Sequence, residues 1–248
     1  MEDRIILISN DDGVNAPGIR YLRDLMKKMG KVIVVAPSHE MSASSHAVTL
    51  KKPLYVERVS SDIYSVSGTP ADCIIVALFH ILKKTPDFIL SGINLGQNLG
   101  EDVFYSGTVA AAREGALYGV RSAAFSLVID NGDEIIHFES AALIAKDVVG
   151  KILGLLPPGV LLNVNIPNLP YNEIKGLKIT KLSTRRYVDV VKEERGFIVI
   201  GGRPIWKMED GTDIVAVKEG YVSITPLLKD LTDYDEKREL ERLVGKIG

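Results

Sequence analysis

The run Ile5-Ile6-Leu7-Ile8, followed at once by Ser9-Asn10-Asp11-Asp12-Gly13, constrains the fold more than any other stretch of the chain. Its apolar residues do not alternate with polar ones, and the run is too short for a buried helix, so it reads as a strand covered on both faces. Such strands belong to parallel sheets sandwiched between helices. After the polar turn, Pro17 falls where a first helical turn accepts it, and Ile19, Leu22, Leu25, Met26 and Met29 form one helical stripe that Gly30 ends. Residues 32–35 make a second apolar run closed by Ala36-Pro37. Strand, helix and strand within the length of one βαβ unit predict parallel pairing through a right-handed crossover.

The same grammar continues. A Ser-rich loop over 38–46 leads to alternating stretches at 48–56 and 63–66 that read as an inserted hairpin. Thr69-Pro70-Ala71-Asp72 combines an N-cap, a proline at the first helical position and an acid in the first turn, ahead of an apolar and therefore buried helix reaching Leu82. A strand is expected at 88–90, a Gly- and Asn-rich loop at 91–107, a helix at 109–118, a strand at 123–129, a helix at about 135–153 and a strand at 161–166. This is a Rossmann-like α/β fold, a doubly wound and mostly parallel sheet. Beyond Gly176, β-rich runs at 177–182, 197–200 and 214–217 precede a charged helix from Tyr234, which reads as an appended β-rich arm. The expected organisation is one domain over 1–248, with a core at about 1–170 and an oligomerisation arm plus C-terminal helix at about 171–248. A chain of 248 residues can bury roughly 70% of its surface, enough for one large core.

Composition narrows the function. Thirty Lys and Arg against 32 Asp and Glu leave a net charge of -2, so no field gathers nucleic acid or an anionic membrane, and small substrates become the default. A single cysteine, Cys73, permits neither an intrachain disulfide nor a thiolate cluster and suits a reducing compartment. The opening MEDRIILIS has neither the pattern of a signal peptide nor the length of a spanning helix, so the cytosol is the expected location.

In open α/β sheets, ligands gather beyond the carboxyl ends of the strands. Three polar loops end there: Asn10-Asp11-Asp12-Gly13, the loop that carries Ser42, and Ser91-Gly92-Ile93-Asn94. Asp11, Asp12, Ser42 and Asn94 offer a hard, all-oxygen donor set, which favours Mg²⁺, Mn²⁺ or Ca²⁺ over zinc. A divalent cation would also relieve the repulsion between adjacent carboxylates. The plainer alternative is turn and cap chemistry, with Ser42 solvated. From Ser91 to Thr108, Gly92, Gly96, Gly100 and Gly107 alternate with Asn94, Asn98, Ser106 and Thr108 before the small-residue helix Val109-Ala110-Ala111-Ala112. That is the composition of a phosphate cradle at a helix start, though it is neither a Walker loop nor GxGxxG. Its plainer alternative is a loop in which Thr108 caps a core helix. His39 and His46 lack ligand spacing and read as surface residues, and Cys73 reads as packing. Arg185 and Arg186 beside Tyr187 suit a nucleotide or polyanion, with a solvated basic turn as the commoner reading.

Together these motifs resemble a known family. The sequence IleSerAsnAspAspGlyVal at 8–14, Ala16-Pro17-Gly18, Gly68-Thr69-Pro70, Asp72-Cys73, Ser91-Gly92-Ile93-Asn94, Asn98-Leu99-Gly100 and Tyr105-Ser106-Gly107-Thr108-Val109-Ala110-Ala111 resemble the SurE (survival protein E) nucleotidases, as do Gly211-Thr212-Asp213 and the stretch 219–227. The resemblance spans nearly the whole chain. It implies a metal-dependent phosphatase of nucleoside 5'- and 3'-monophosphates, with some members acting on polyphosphate. It places Asp11 and Asp12 as catalytic residues, Asp11, Asp12, Ser42 and Asn94 as ligands of Mg²⁺ or Mn²⁺, with Ca²⁺ in crystals, and Asn98, Ser106, Gly107 and Thr108 on the phosphate. It also implies a homodimer or homotetramer with exchanged arms, while the balanced charge points to no nucleic acid polymer or membrane as partner. Ser38-His39-Glu40-Met41-Ser42-Ala43 departs from the family's more basic, Gly-containing loop, which leaves substrate preference open. Two other classes compete: a nucleotide-binding regulator without turnover, and a metal-dependent glycosyl or deacylating enzyme.

Overall fold

The computed structural model describes residues 4–130, 132–188 and 190–245. The chain runs β1 (Ile5–Ser9), α1 (Pro17–Met26), β2 (Lys31–Pro37), β3 (Val56–Ser60), β4 (Ile63–Val66), α2 (Pro70–Val76), β5 (Phe88–Leu95), α3 (Gly107–Leu117), β6 (Arg121–Val128), α4 (Phe138–Lys151) and β7 (Leu161–Pro167). There follow β8 (Leu177–Ile179), β9 (Arg185–Val188), β10 (Val191–Glu194), β11 (Phe197–Ile200), β12 (Arg203–Trp206), α5 (Asp213–Lys218), β13 (Val222–Leu227) and α6 (Tyr234–Val244). Among the described residues, nine strands form one sheet in the order β3-β4-β2-β1-β5-β6-β7-β13-β8. From β4 to β7 every neighbouring pair is parallel, and β3 and β13 are antiparallel to their neighbours β4 and β7.

Successive side chains of β1 enter opposite layers. Ile6 and Ile8 pack with Ile19 and Leu22 of α1 and Ala145 and Val148 of α4, while Leu7 packs with Ile33, Val35, Cys73, Ile74 and Ala111 on the other face. All three β1 residues are fully buried, each worth roughly 1.5–3 kcal/mol, which explains why the run cannot alternate. The chain leaves β1 toward β2 on one side and later returns to β5 on the other, so a crevice opens beyond the carboxyl ends of β1 and β5.

Several elements differ from their sequence expectation. The hairpin begins at Val56 rather than 48, because Pro53 has no N–H to donate and Lys51 sits at φ 58°. Strand β5 extends through Asn94 to Leu95 because β6 keeps pairing with it past an irregularity, so Asn94 lies on a strand and not in a loop. The run 214–217 is helical, since Thr212 and Asp213 start a helix there and four apolar residues do not distinguish helix from strand. The expected helix to Leu82 is α-helical only to Val76, continues as one π-helical turn over Ala77–Ile81, and exposes Phe79. The sheet also takes in β8 and β13 from beyond residue 170, leaving β9 with β12 and β10 with β11 as separate antiparallel pairs. No helix among the described residues is long and apolar enough to cross a membrane.

Candidate active site

The polar turn after β1 is held from three sides. Asn10 Nδ2 donates to the Gly13 carbonyl at 2.9 Å, Val14 N–H to Pro37 at 2.8 Å, and Met41 N–H to the Asp11 carbonyl at 2.7 Å. Gly13, at φ 96°, lets the turn pass close to His39. These bonds bring the loop after β2, with Ser42, against Asp11. From the other side, Leu95 N–H reaches Asp12 Oδ2 at 3.4 Å, which places neighbouring Asn94 beside the pair.

Asp11 is buried and faces the N-terminus of α3, where Thr108 Oγ1 donates to its Oδ1. The N-cap of α3 is Ser106, whose Oγ accepts from Val109 N–H at 3.0 Å, so the helix starts at Gly107 and Thr108 is not its cap. A Cβ on Gly107 would lie 2.8 Å from both Asp11 Cβ and Ser44 Oγ. Glycine is required there by the close approach of these groups, and not by a left-handed backbone.

Burial, and next to it the charge of Asp11, pushes the Asp12 carboxyl up to about 6. Burial is also the main cause that raises Asp11, outweighing the Thr108 hydrogen bond, and Glu40 adds a smaller repulsion to both. Among the described residues, no Lys, Arg or His forms an ion pair with any of these three carboxylates. A concentration of negative charge without a counter-ion fits a hard divalent cation. No group of three His, Cys, Asp or Glu side chains converges among the described residues, so a donor set must draw on neutral oxygens. Ser42 Oγ, which donates its proton to Glu40 at 2.7 Å, and Asn94 Oδ1, whose Nδ2 is turned to the Gly96 carbonyl at 2.9 Å, are suited to that role. The residues present therefore fit the cation that the donor chemistry implies.

Not every sequence candidate converges on this point. Asn98 Nδ2 donates to Ser126 Oγ at 2.8 Å, and its backbone is clamped by Asn163 and Asn165 of β7, so this side chain braces the loop from below. His46 is paired with Glu114 of α3 at 2.6 Å and partly buried, which corrects its reading as a surface residue, whereas His39 is exposed. Arg185 is no solvated turn: it lies on β9, its side chain is 5% exposed, and it pairs with Asp102. Burial still pushes Asp102 up to about 6 against the pull of that arginine. Sequence reasoning missed Ser44, whose buried Oγ has no hydrogen-bond partner among the described residues and lies beside Gly107 and Asp11. Its only signal is a spacing of two from Ser42, which means little in a Ser-rich loop.

Residues 6–189 match the family described as Survival protein SurE. The chain is 45% identical over 252 residues to the 5'-nucleotidase SurE of Legionella pneumophila (strain Lens), covering 98% of each sequence. It is 45% identical over 251 residues to the 5'-nucleotidase SurE of Aquifex aeolicus (strain VF5), covering 96% and 97%. The crystal structure of the SurE protein from Aquifex aeolicus superposes with a TM-score of 0.83 at 42% identity, covering 96% of this chain and 99% of that one. Matched over most of its length in sequence and in fold, with the acidic turn and the α3 start facing each other at the strand switch point, the chain belongs to the SurE family.

Proposed function

We propose that this chain is a divalent-cation-dependent 5'-nucleotidase that hydrolyses nucleoside monophosphates to nucleoside and inorganic phosphate. The family resemblance extends the reading to 3'-monophosphates and polyphosphate. The observation that carries it is the seating of a buried, unneutralised Asp11 against the N-terminus of α3, where Gly107 has no room for a side chain. A tetrahedral anion at that helix start meets the positive end of the helix dipole and N–H groups of the first turn. Ser106 frames this start as the cap, and Ser44 adds a hydroxyl with no competing partner among the described residues.

Asp11, Asp12, Ser42 and Asn94 would hold Mg²⁺ or Mn²⁺, which when bound supplies positive charge to the phosphoryl oxygens and lowers the pKa of water. Thr108 holds Asp11 in one orientation, while Asp12, contacted by the Leu95 N–H at 3.4 Å, would serve as the base that takes a proton from an attacking water. In-line attack by water is the proposed route, and an aspartyl phosphoenzyme is its rival. Phosphate release from nucleoside monophosphates is expected to vanish on removal of bound metal with chelator and to return with Mg²⁺ or Mn²⁺. Full turnover in excess chelator would sink the metal reading, and nucleotide binding without release would support a regulator instead.

We also propose a homo-oligomer in the cytosol. Phe197, Ile198, Val199 and Ile200 of β11 are all exposed, as are Leu240, Leu243 and Val244 of α6, apolar side chains that a second copy of the chain would cover. Sedimentation at micromolar concentration should give a multiple of the 27.1 kDa chain mass, and deletion of 191–200 should lower it. A monomer, or an unchanged mass after the deletion, would contradict the arm's role.

A further inference from the structure

We infer that the cavity between the α3 loop and the arm, walled by Arg185, Tyr187, Phe104 and Tyr105, is a base subsite that selects 6-oxopurine nucleotides over adenine nucleotides. The inference rests on the nucleotidase reading above. The cavity has a volume of about 870 Å³, ample for a purine nucleoside. Its wall adjoins the phosphate site along the chain: Tyr105 directly precedes the Ser106 cap, and Ala43 lies between Ser42 and Ser44. Two residues of chain reach at most about 7 Å, the scale that separates a nucleotide's phosphate from its base. The two loops are also tied together at this edge, with Ser45 N–H donating to the Tyr105 carbonyl at 2.9 Å and Ser45 Oγ to the Phe104 carbonyl at 2.6 Å.

The wall is chemically specific. Phe104 and Tyr105 are 52% and 62% exposed and border the cavity, so flat apolar rings are available for stacking. Arg185 supplies the polar edge. Its guanidinium lies over the Tyr187 ring at 4.0 Å, and one nitrogen is taken by Asp102. Its Nε and Nη1, although buried, have no hydrogen-bond partner among the described residues. A buried cation with unused donors calls for an acceptor from a ligand. These two donors lie on different edges of the guanidinium, so one of them meets the base: a 6-oxopurine offers O6 as its acceptor, whereas adenine replaces O6 with an amino donor that would face a cation. Glu101 lines the same cavity; its Oε2 accepts the Arg185 backbone N–H at 3.2 Å, and its Oε1 remains to accept the N1–H that 6-oxopurines carry and adenine lacks.

The test uses the intact, metal-loaded protein and measures phosphate release from GMP, IMP, AMP and phenyl phosphate, which has no base. Wild type should show kcat/KM for GMP and IMP at least tenfold above AMP. Arg185→Lys keeps a cation facing Asp102 but loses the planar guanidinium with its unused N–H donors, and it should bring that ratio close to one. Tyr105→Ala, a change at an exposed ring, should raise KM for all three nucleotides. Equal kcat/KM for GMP and AMP in wild type, or an undiminished ratio in Arg185→Lys, would overturn the inference while hydrolysis of phenyl phosphate left the phosphatase reading standing. If no ester is hydrolysed, that reading fails instead. Titration of guanosine against adenosine, followed by the fluorescence of Trp206 beside Arg185, still decides the subsite without turnover. Tighter guanosine binding that Arg185→Lys removes supports it, and indifference to the base refutes it.

Discussion

Asp12→Asn is expected to fold, and to release phosphate roughly 10²–10⁴-fold more slowly than the wild-type protein. The amide keeps an oxygen for the Leu95 N–H, but it removes one of two adjacent negative charges and any capacity to accept a proton from water. A stability measurement separates this reading from damage to the fold. Because the Asp12 carboxyl rises from 3.8 to about 6 on folding, the folded state binds its proton more tightly than the unfolded chain does. The metal-free protein should therefore lose stability as pH rises from about 4 to about 6, and Asp12→Asn should flatten that loss. At neutral pH the metal-free variant should melt at or above the wild-type temperature. Asp11→Asn should behave similarly, since its amide oxygen can still accept from Thr108. Near-normal phosphate release from either variant at saturating Mg²⁺ would reduce that residue to a turn former.

Gly107→Ala should lose at least roughly 10²-fold in turnover, because a misplacement on the order of 1 Å at a reacting centre is enough for that. The added Cβ would stand 2.8 Å from Asp11 Cβ and from Ser44 Oγ and 3.0 Å from Asp11 Oδ2, so the helix start, the carboxylate or the serine must move. Gly107→Val enlarges the same clash. Since Asp11 belongs to both halves of the site, cation affinity should fall together with phosphate affinity. Gly119→Ala is the matched control: it sits at φ 79° with nothing within 4 Å of a new Cβ. It should cost about 1–2 kcal/mol of stability through its backbone alone and leave turnover intact. Normal hydrolysis by Gly107→Ala would make the α3 start a plain helix cap.

Much of this protein was legible in its residues because the relevant physics is local. A four-residue apolar run with no polar alternation is satisfied by burial on both faces, so β1 followed from residues 5–8, and parallel pairing from the strand, helix and strand order of residues 5–37. The Thr69 cap, with Pro70 and Asp72, is a reciprocal set of hydrogen bonds within four residues and was readable for the same reason. The acidic turn and the Gly-rich loop were recognisable as chemistry by composition and order.

What required the tertiary structure was every decision made by groups distant in the chain. Whether 214–217 formed strand or helix depended on a start set by Thr212 and Asp213, with Asp213 also accepting from Gly100 N–H 113 residues away. Asn94 joined a strand because β6 continued to pair with it. That Gly107 needs space and not a left-handed φ, that Ser44 lies beside Asp11 and the helix start, and that Arg185 is buried beside Asp102 all follow from elements meeting across the fold. Local propensity says which residues can turn, cap or bind. Only long-range packing decides which of them share one crevice, because their meeting is set by the order of strands in the sheet and not by their spacing in sequence.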